Sequence, residues 1–340
     1  MTMDFIMKFS FFLLSTAAVL VAGATNAADL PAKKAAPAAA TGCPTFGAGF
    51  FQIPGGDTCL QFSGYMRNTT SYDDGTKTSL NTAELRLITD VRSNSEMGVV
   101  RGFSRVNASA GGNVTSDRAY AQIGGLTAGA AGAFFDIAGS YGIGYGAGLG
   151  GDTGTGLKYS TTLGPVTVTA GIQNPSAGDN VSKDQDFIGG VSGSVGPATY
   201  QVVGASHKNN NGQGYAFAGQ VSIPAGPASV SLYGGVSSGA IAYTGTVGTL
   251  TTDSDGTKAV DGAAVGTSVG FTAGNGTLYF DVGRVQVKNT TDTYYATSYG
   301  VGYDYSLVKN FHVIPEVYHT DETQGSTKSN VLYLRIQRDF

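Results

Sequence analysis

Tyr294–Leu307 reads YYATSYGVGYDYSL. Taken in steps of two, it separates into Tyr295, Thr297, Tyr299, Val301, Tyr303, Tyr305 and Leu307 on one side. Tyr294, Ala296, Ser298, Gly300, Gly302, Asp304 and Ser306 fall on the other. Successive strand side chains point to opposite faces, so this is one long strand with an aromatic face and a small, polar face. An aromatic stripe of this kind fits contact with lipid and its interface better than a cofactor site.

The same period of two recurs along the chain. Leu60, Phe62, Gly64 and Met66 oppose Gln61, Ser63, Tyr65 and Arg67. Ala83, Leu85, Leu87 and Val91 oppose Glu84, Arg86, Asp90 and Arg92. Met97–Ala108 sets Arg101, Arg105 and Asn107 on one face; Arg118–Gly125 and Leu126–Asp136 follow as further strands. Val166–Gln173, Ser229–Val236 and Ser329–Phe340 alternate plainly. Connectors alternate too. Tight turns at Ser93–Glu96, Gly164-Pro165, Gly196-Pro197, Pro224–Pro227, Gly274–Gly276 and Lys309-Asn310 are separated by longer polar stretches. The latter are Asn174–Asp184, His207–Gln213, Gly239–Gly262, Asn289–Thr293 and Asp321–Lys328. Short turns at one end and long loops at the other are the plan of a transmembrane barrel, and the breaks give about sixteen strands. Two places resist. Pro315 lies inside a strand, where it removes a ladder donor and predicts a bulge or strand end. Leu278–Val287 switches face near Gly283, which also predicts a bulge.

Composition agrees with one wetted and one apolar wall. There are 52 glycines, 18 tyrosines, 17 phenylalanines and no tryptophan, and only 13% of residues are charged. Soluble domains carry about 25%. Mean hydropathy is close to zero, as expected when two opposite faces average out. A net charge of −4 with no basic patch gives no sign of a nucleic-acid partner. Met1–Lys8, the apolar run Phe9–Ala24 and the small residues Thr25-Asn26-Ala27 form a secretory signal peptide, residues 1–27, cut after Ala27. The run is short for an uncleaved membrane anchor, and no later segment supplies the ~18 apolar residues of a membrane helix. Residues 28–42, ADLPAKKAAPAAATG, read as a flexible periplasmic leader. The barrel then occupies residues 43–340. Cys43 and Cys59, an even count in an exported chain, predict a disulfide; a metal or redox pair is the rival, without C-x-x-C spacing or a nearby histidine.

Residues 43–67, CPTFGAGFFQIPGGDTCLQFSGYMR, carry C-P-x-x-G-x-G-F-F-x-I-P-G-x-x-T-C-L-x-x-S-G-Y-x-R. In this motif the chain resembles the porins of alphaproteobacterial outer membranes. Tyr120–Asp136, YAQIGGLTAGAAGAFFD, is a second block of resemblance. The resemblance implies that this block leads into a constriction loop, here Phe134–Gly156, FFDIAGSYGIGYGAGLGGDTGTG, folded inward as the third extracellular loop. It also implies a homotrimer, and a C-terminal aromatic, Phe340, read by the barrel-assembly machinery. Arg338 interrupts the apolar face of that last strand and is expected to snorkel to water.

Catalytic constellations are absent from the pattern. His207, His312 and His319 carry no HExxH, H-x-E or paired cysteine, and no G-x-S-x-G elbow or phosphate-binding glycine loop occurs. A serine–histidine pair built on a barrel lacks any marked serine. Asp73-Asp74, Asp253/Asp255 and Asp321-Glu322 fall in loops and read as solvated charges rather than cation ligands. No enzyme activity, cofactor or metal is expected. The informative charges are Arg67, Arg86, Arg92, Arg101 and Arg105, all opposite apolar residues. A charge facing lipid costs about 2–4 kcal/mol at the bilayer midplane, which turns these arginines into the lumen. Asp136, Tyr141, Tyr145 and Asp152 of the loop would face them across a constriction, giving a transverse field. The bland alternative is local pairing of the arginines with Glu84 and Asp90.

The sequence therefore predicts an all-β, sixteen-stranded transmembrane antiparallel barrel in a Gram-negative outer membrane. Its expected role is passive diffusion of small hydrophilic solutes and ions. Outer-membrane lipids and lipopolysaccharide would surround it. The alternative is a non-conducting surface barrel with an adhesive or envelope-structural role.

Overall fold

The computed structural model describes residues 42–132, 135, 137, 142–143, 149, 153–174, 185–209, 212–245, 247, 260–289, 292–324 and 327–340. The expected signal peptide, nearly all of the leader, and Asp136, Tyr141, Tyr145, Asp152, Asp253 and Asp255 lie outside the described residues.

A two-residue strand, β1 (Phe51–Gln52), precedes sixteen long ones. These are β2 (Cys59–Asp73), β3 (Thr78–Ser95), β4 (Gly98–Ser109), β5 (Val114–Ile123), β6 (Leu126–Gly132), β7 (Thr153–Leu163), β8 (Val166–Gln173) and β9 (Asp186–Val195). They continue as β10 (Ala198–Asn209), β11 (Gly212–Ala225), β12 (Ala228–Ser238), β13 (Asp261–Ala273), β14 (Gly276–Lys288), β15 (Thr293–Val308), β16 (Phe311–Glu322) and β17 (Thr327–Asp339). Each strand from β2 onward pairs antiparallel with the next, and β17 returns to β2 from Val331↔Asp73 to Asp339↔Tyr65. The sheet is a closed barrel. Closure matters because lipid offers no hydrogen bonds, so every ladder N–H and C=O must be satisfied within the wall.

Alternation assigns the faces. Phe62, Met66, Leu85, Leu157, Phe217, Leu232, Phe280, Tyr299, Leu332 and Leu334 are exposed on the outside as an apolar belt. Their neighbours one residue away point inward. The ends of the sheet are joined at a tight seam. Gly64 and Phe340 exchange both backbone hydrogen bonds at 3.1 Å. Gly64 has φ +151, and a Cβ there would lie 1.9 Å from the Arg86 carbonyl oxygen, so only glycine fits. Arg338 faces outward, and its guanidinium reaches the turn carbonyls of Lys309 and Asn310 at 3.4 and 3.0 Å.

Cys43 and Cys59 form a disulfide. It ties residues 42–53 to the start of β2, where β1 adds two pairs. Phe50 is buried there with the Arg92 guanidinium 4.8 Å from its ring centroid, and Gln61 Nε2 donates to the Ala48 carbonyl at 3.1 Å.

Several local expectations are corrected. Pro315 causes neither a bulge nor a strand end. The β15–β16 register is unchanged on either side of it, from Gly302↔Glu316 to Tyr305↔Val313, and only the intervening pairs are missing. Leu278–Val287 contains no bulge; β14 runs in continuous register with both neighbours. Polarity swaps there because the outward face passes from the belt (Leu278, Phe280, Val282) to a polar rim (Arg284, Gln286, Lys288). Meanwhile Val285 and Val287 on the inward face are buried. A bulge does occur between Arg105 and Val106 against β5, unannounced by the pattern. Strand β6 ends at Gly132 rather than Asp136. The polar stretch His207–Gln213 is mostly strand, with His207 inside β10.

Candidate functional site

The inner wall is where this fold concentrates chemistry. Cross-strand pairing sets inward residues of β2–β5 side by side: Arg67↔Glu84, Arg86↔Asn107, Arg92↔Arg101 and Arg105↔Arg118. All five arginines singled out from the sequence thus share one face. Each has a carboxylate partner. Asp90 is gripped by two guanidiniums, from Arg92 (Nε 3.0 Å, Nη2 2.7 Å) and Arg101 (Nε 2.9 Å, Nη2 2.7 Å). Arg67 meets Glu84 at 3.2 Å. Arg105 meets Asp117 at 2.6 Å, and Arg86 stands 3.9 Å from the same carboxylate while its Nε donates to Asn107 at 2.7 Å. These forks match planar carboxylates.

Aromatic rings back the guanidiniums. Arg67 and Arg86 lie 4.6 and 5.0 Å from the Tyr65 ring centroid. Arg101 lies 4.9 Å from Phe103, which stacks on Tyr120 at 5.1 Å. Cation–π contact holds Arg67, Arg86, Arg92 and Arg101, and two-point pairing with Asp90 holds Arg92 and Arg101, while 22–27% of these four side chains stays exposed; Arg105, paired with Asp117, is 10% exposed. The wall is therefore ordered, charged and wet.

Sequence reasoning missed Asp117 and Arg118. They are consecutive, so alternation places only one of them inside. The bulge at Arg105/Val106 turns both inward. It missed Lys158 as well, whose Nζ donates to the Gly132 carbonyl at 3.0 Å. With these, seven cations (Arg67, Arg86, Arg92, Arg101, Arg105, Arg118, Lys158) share the β2–β7 wall with Glu84, Asp90 and Asp117. Strands β14–β16 turn Asp281, Asp304 and Glu316 inward. Glu316 Oε2 accepts the Tyr279 hydroxyl and the Ile143 backbone N–H, both at 2.6 Å. A Cβ at Gly142 would stand 2.8 Å from Asp281 Oδ2. Gly142 and Ile143 belong to the segment between β6 and β7. Phe135, Ile137 and Leu149 of that segment are buried with inward residues of β9–β15, and Ile137 and Leu149 bridge each other.

The histidines are placed as wall residues. His207 Nδ1 lies 2.8 Å from Asp186 and both side chains are fully buried. His312 sits between Asp304 (2.7 Å) and Asp339 (3.3 Å), and His319 faces outward against Asn330 at 2.8 Å. The acids expected in loops are placed differently: Asp73 ends β2, Asp321 and Glu322 end β16, and Asp73, Asp74 and Asp321 have structural partners. Asp73 accepts the Ser329 hydroxyl at 2.5 Å, and Asp74 accepts two bonds from Asn330. Asp321 meets Lys328 at 2.8 Å.

A closed sixteen-stranded wall, apolar outside and lined with paired charge inside, defines an integral outer-membrane barrel of the channel class. The family model described as the porin subfamily matches residues 32–336, and the chain belongs to that family. A protein of Sinorhizobium fredii, y4fJ, provisionally named an outer membrane protein, is 32% identical over 106 residues; the match spans 26% of this chain and 31% of that relative. Among solved structures, the outer membrane channel DcaP of Acinetobacter baumannii superposes with TM-score 0.73 at 15% identity, covering 85% of this chain and 99% of that one. OmpT of Vibrio cholerae, in a trimer form, gives TM-score 0.65 at 13% identity over 84% and 100%. At these identities the likeness is one of fold.

Proposed function

We propose that this outer-membrane porin passes small hydrophilic solutes and ions by passive diffusion, in a homotrimer, after removal of residues 1–27. The observation that carries the reading is the hydrated guanidinium row on β2–β5. Inward charge of this density has no use in a sealed barrel, where burying ions costs several kcal/mol each. The segment 133–152 is folded inward as the constriction in this reading. Its support is the Ile143–Glu316 bond and the burial of Phe135, Ile137 and Leu149. Asp136, Tyr141, Tyr145 and Asp152 then complete the eyelet with Arg67, Arg86, Arg92, Arg101 and Arg105.

Because each arginine already has a carboxylate partner, local pairing and lumen field coexist. Cations predominate on β2–β7 and carboxylates on β14–β16, so a modest transverse field crosses the water path. The protein is then chiefly a size filter. Phe340 serves barrel assembly, and the outer belt meets lipid and lipopolysaccharide. Liposome swelling with neutral sugars of rising mass tests the function. A graded decline in rate with mass is expected; liposomes that never swell, with the barrel folded in them, would support the non-conducting alternative.

A further inference from the structure

A second connection also enters the lumen. On the half of β9–β15 nearest the β12–β13 connection, inward side chains carry almost no water. Val203, Ala205, Ala216, Ala264, Val285 and Val287 are all 5% exposed or less, and Asp186 and His207 are fully buried. The neighbouring arginine wall stays hydrated. Two connections cover this half: Phe135, Ile137 and Leu149 of the β6–β7 segment, and the connection between β12 and β13, share one buried cluster with it.

The β12–β13 connection turns inward as a short 3-10 turn, Ile241–Tyr243. Ile241, Tyr243, Thr244 and Val247 are at most 2% exposed. The Tyr243 hydroxyl donates to the Asp186 carboxylate and accepts from Gln173 Nε2 at 3.2 Å. Its ring lies 4.8 Å from Phe135 and edge-on to His207 at 6.4 Å. Thr244 and Ser237 share a hydroxyl bond at 2.6 Å. Gly262 permits the approach: a Cβ there would stand 2.1 Å from Thr244 Oγ1. A fully buried carboxylate persists only with committed partners. Here one is a wall histidine and the other is the tyrosine of the inserted turn.

We propose that the stretch 240–245, with Val247, is a second pore-narrowing element, packed on the β6–β7 segment through Phe135 and latched to the wall by Tyr243 on Asp186 and His207. With that segment it fills the side of the lumen under β9–β15 and confines permeation to the arginine wall, so it sets the exclusion limit. This rests on the channel reading above. The apolar inward run Val285/Val287 is its signature in the sequence: a wall that faced water would be polar there.

The test uses the full-length protein in planar bilayers and liposomes, as wild type and Tyr243→Ala. Seven of the sixteen barrel strands lie behind the insert and the β6–β7 segment together, so releasing the insert frees part of that side. Conductance then rises, by up to about twofold, and larger sugars enter. A second readout does not depend on conductance. Gln122 pairs with Arg101 on the inward face of β5; the native cysteines are disulfide-bonded, so Val285→Cys and Gln122→Cys can be labelled singly with a water-soluble maleimide. Val285→Cys should react at least about tenfold more slowly than Gln122→Cys, because labelling needs the insert to open, and adding Tyr243→Ala should remove the difference. Equal labelling of the two cysteines in folded protein would overturn the proposal, as would unchanged conductance and sugar cut-off in folded Tyr243→Ala. A wild type that conducts nothing while Val285→Cys stays protected would instead strike the channel reading.

Discussion

Asp90→Asn is the most informative single change in the arginine wall. Asn keeps the shape of Asp90 but removes the charge on which Arg92 and Arg101 converge, each through Nε and Nη2. The lumen gains one net positive charge with almost no change in volume. A unit charge about 8 Å from a permeating ion in water is worth about 0.5 kcal/mol, and about half that after screening at physiological salt. Anions and cations move in opposite directions, so the permeability ratio shifts about twofold toward anions. In a tenfold salt gradient this is a reversal-potential change of about 15 mV. Arg101→Ala should move the potential the opposite way by a similar amount. The assay is a bilayer measurement on folded protein, repeated at high salt, where both shifts should shrink. Unmoved reversal potentials in both variants would show that the row lies off the permeation path and refute the placement of the pore.

Glu316→Ala removes the acceptor of the Ile143 N–H and the Tyr279 hydroxyl; each lost bond costs about 1–3 kcal/mol. The released segment should appear as added current noise and faster proteolysis between β6 and β7. Cys43→Ser opens a loop of sequence separation 16, worth about 3 kcal/mol in the chain-entropy model, and should lower the denaturation midpoint in urea. Gly64→Ala drives a Cβ into the Arg86 carbonyl, so it should sharply reduce the heat-modifiable folded fraction on gels. Hydrogen bonds from Asn330 hold the Asp74 carboxyl in the β2–β3 turn below its ordinary range. Its contribution is therefore complete above the unfolded value, near pH 4, and disappears as pH falls through the lower folded value. The stability gap between wild type and Asp74→Asn should be present at pH 7 and absent near pH 2.

What was legible in the sequence was whatever alternation alone determines. Tyr295, Tyr299, Val301 and Leu307 face outward and Ala296, Ser298 and Ser306 inward because period two and a lipid exterior admit no other arrangement. The five arginines face inward because lipid rejects them. What escaped was non-local. Asp117 joins the arginines only through a bulge that shifts register by one residue. His207 reads as part of a polar loop, since its partner Asp186 is 21 positions away and the tyrosine that seals the pair is further still. The switch near Gly283 was visible, but a bulge is the local explanation for it. The physical causes are an outward face that passes from belt to polar rim and an inner wall buried under the β6–β7 and β12–β13 connections. Asp90 and Glu84 are legible as partners for the arginines, but alternation alone does not show that pairing and hydration occur together.

The central claim is that this barrel conducts. Purified, heat-modifiable protein added to a planar bilayer should insert in stable, ohmic current steps of uniform size. A folded barrel that inserts into the bilayer and produces no steps would contradict it.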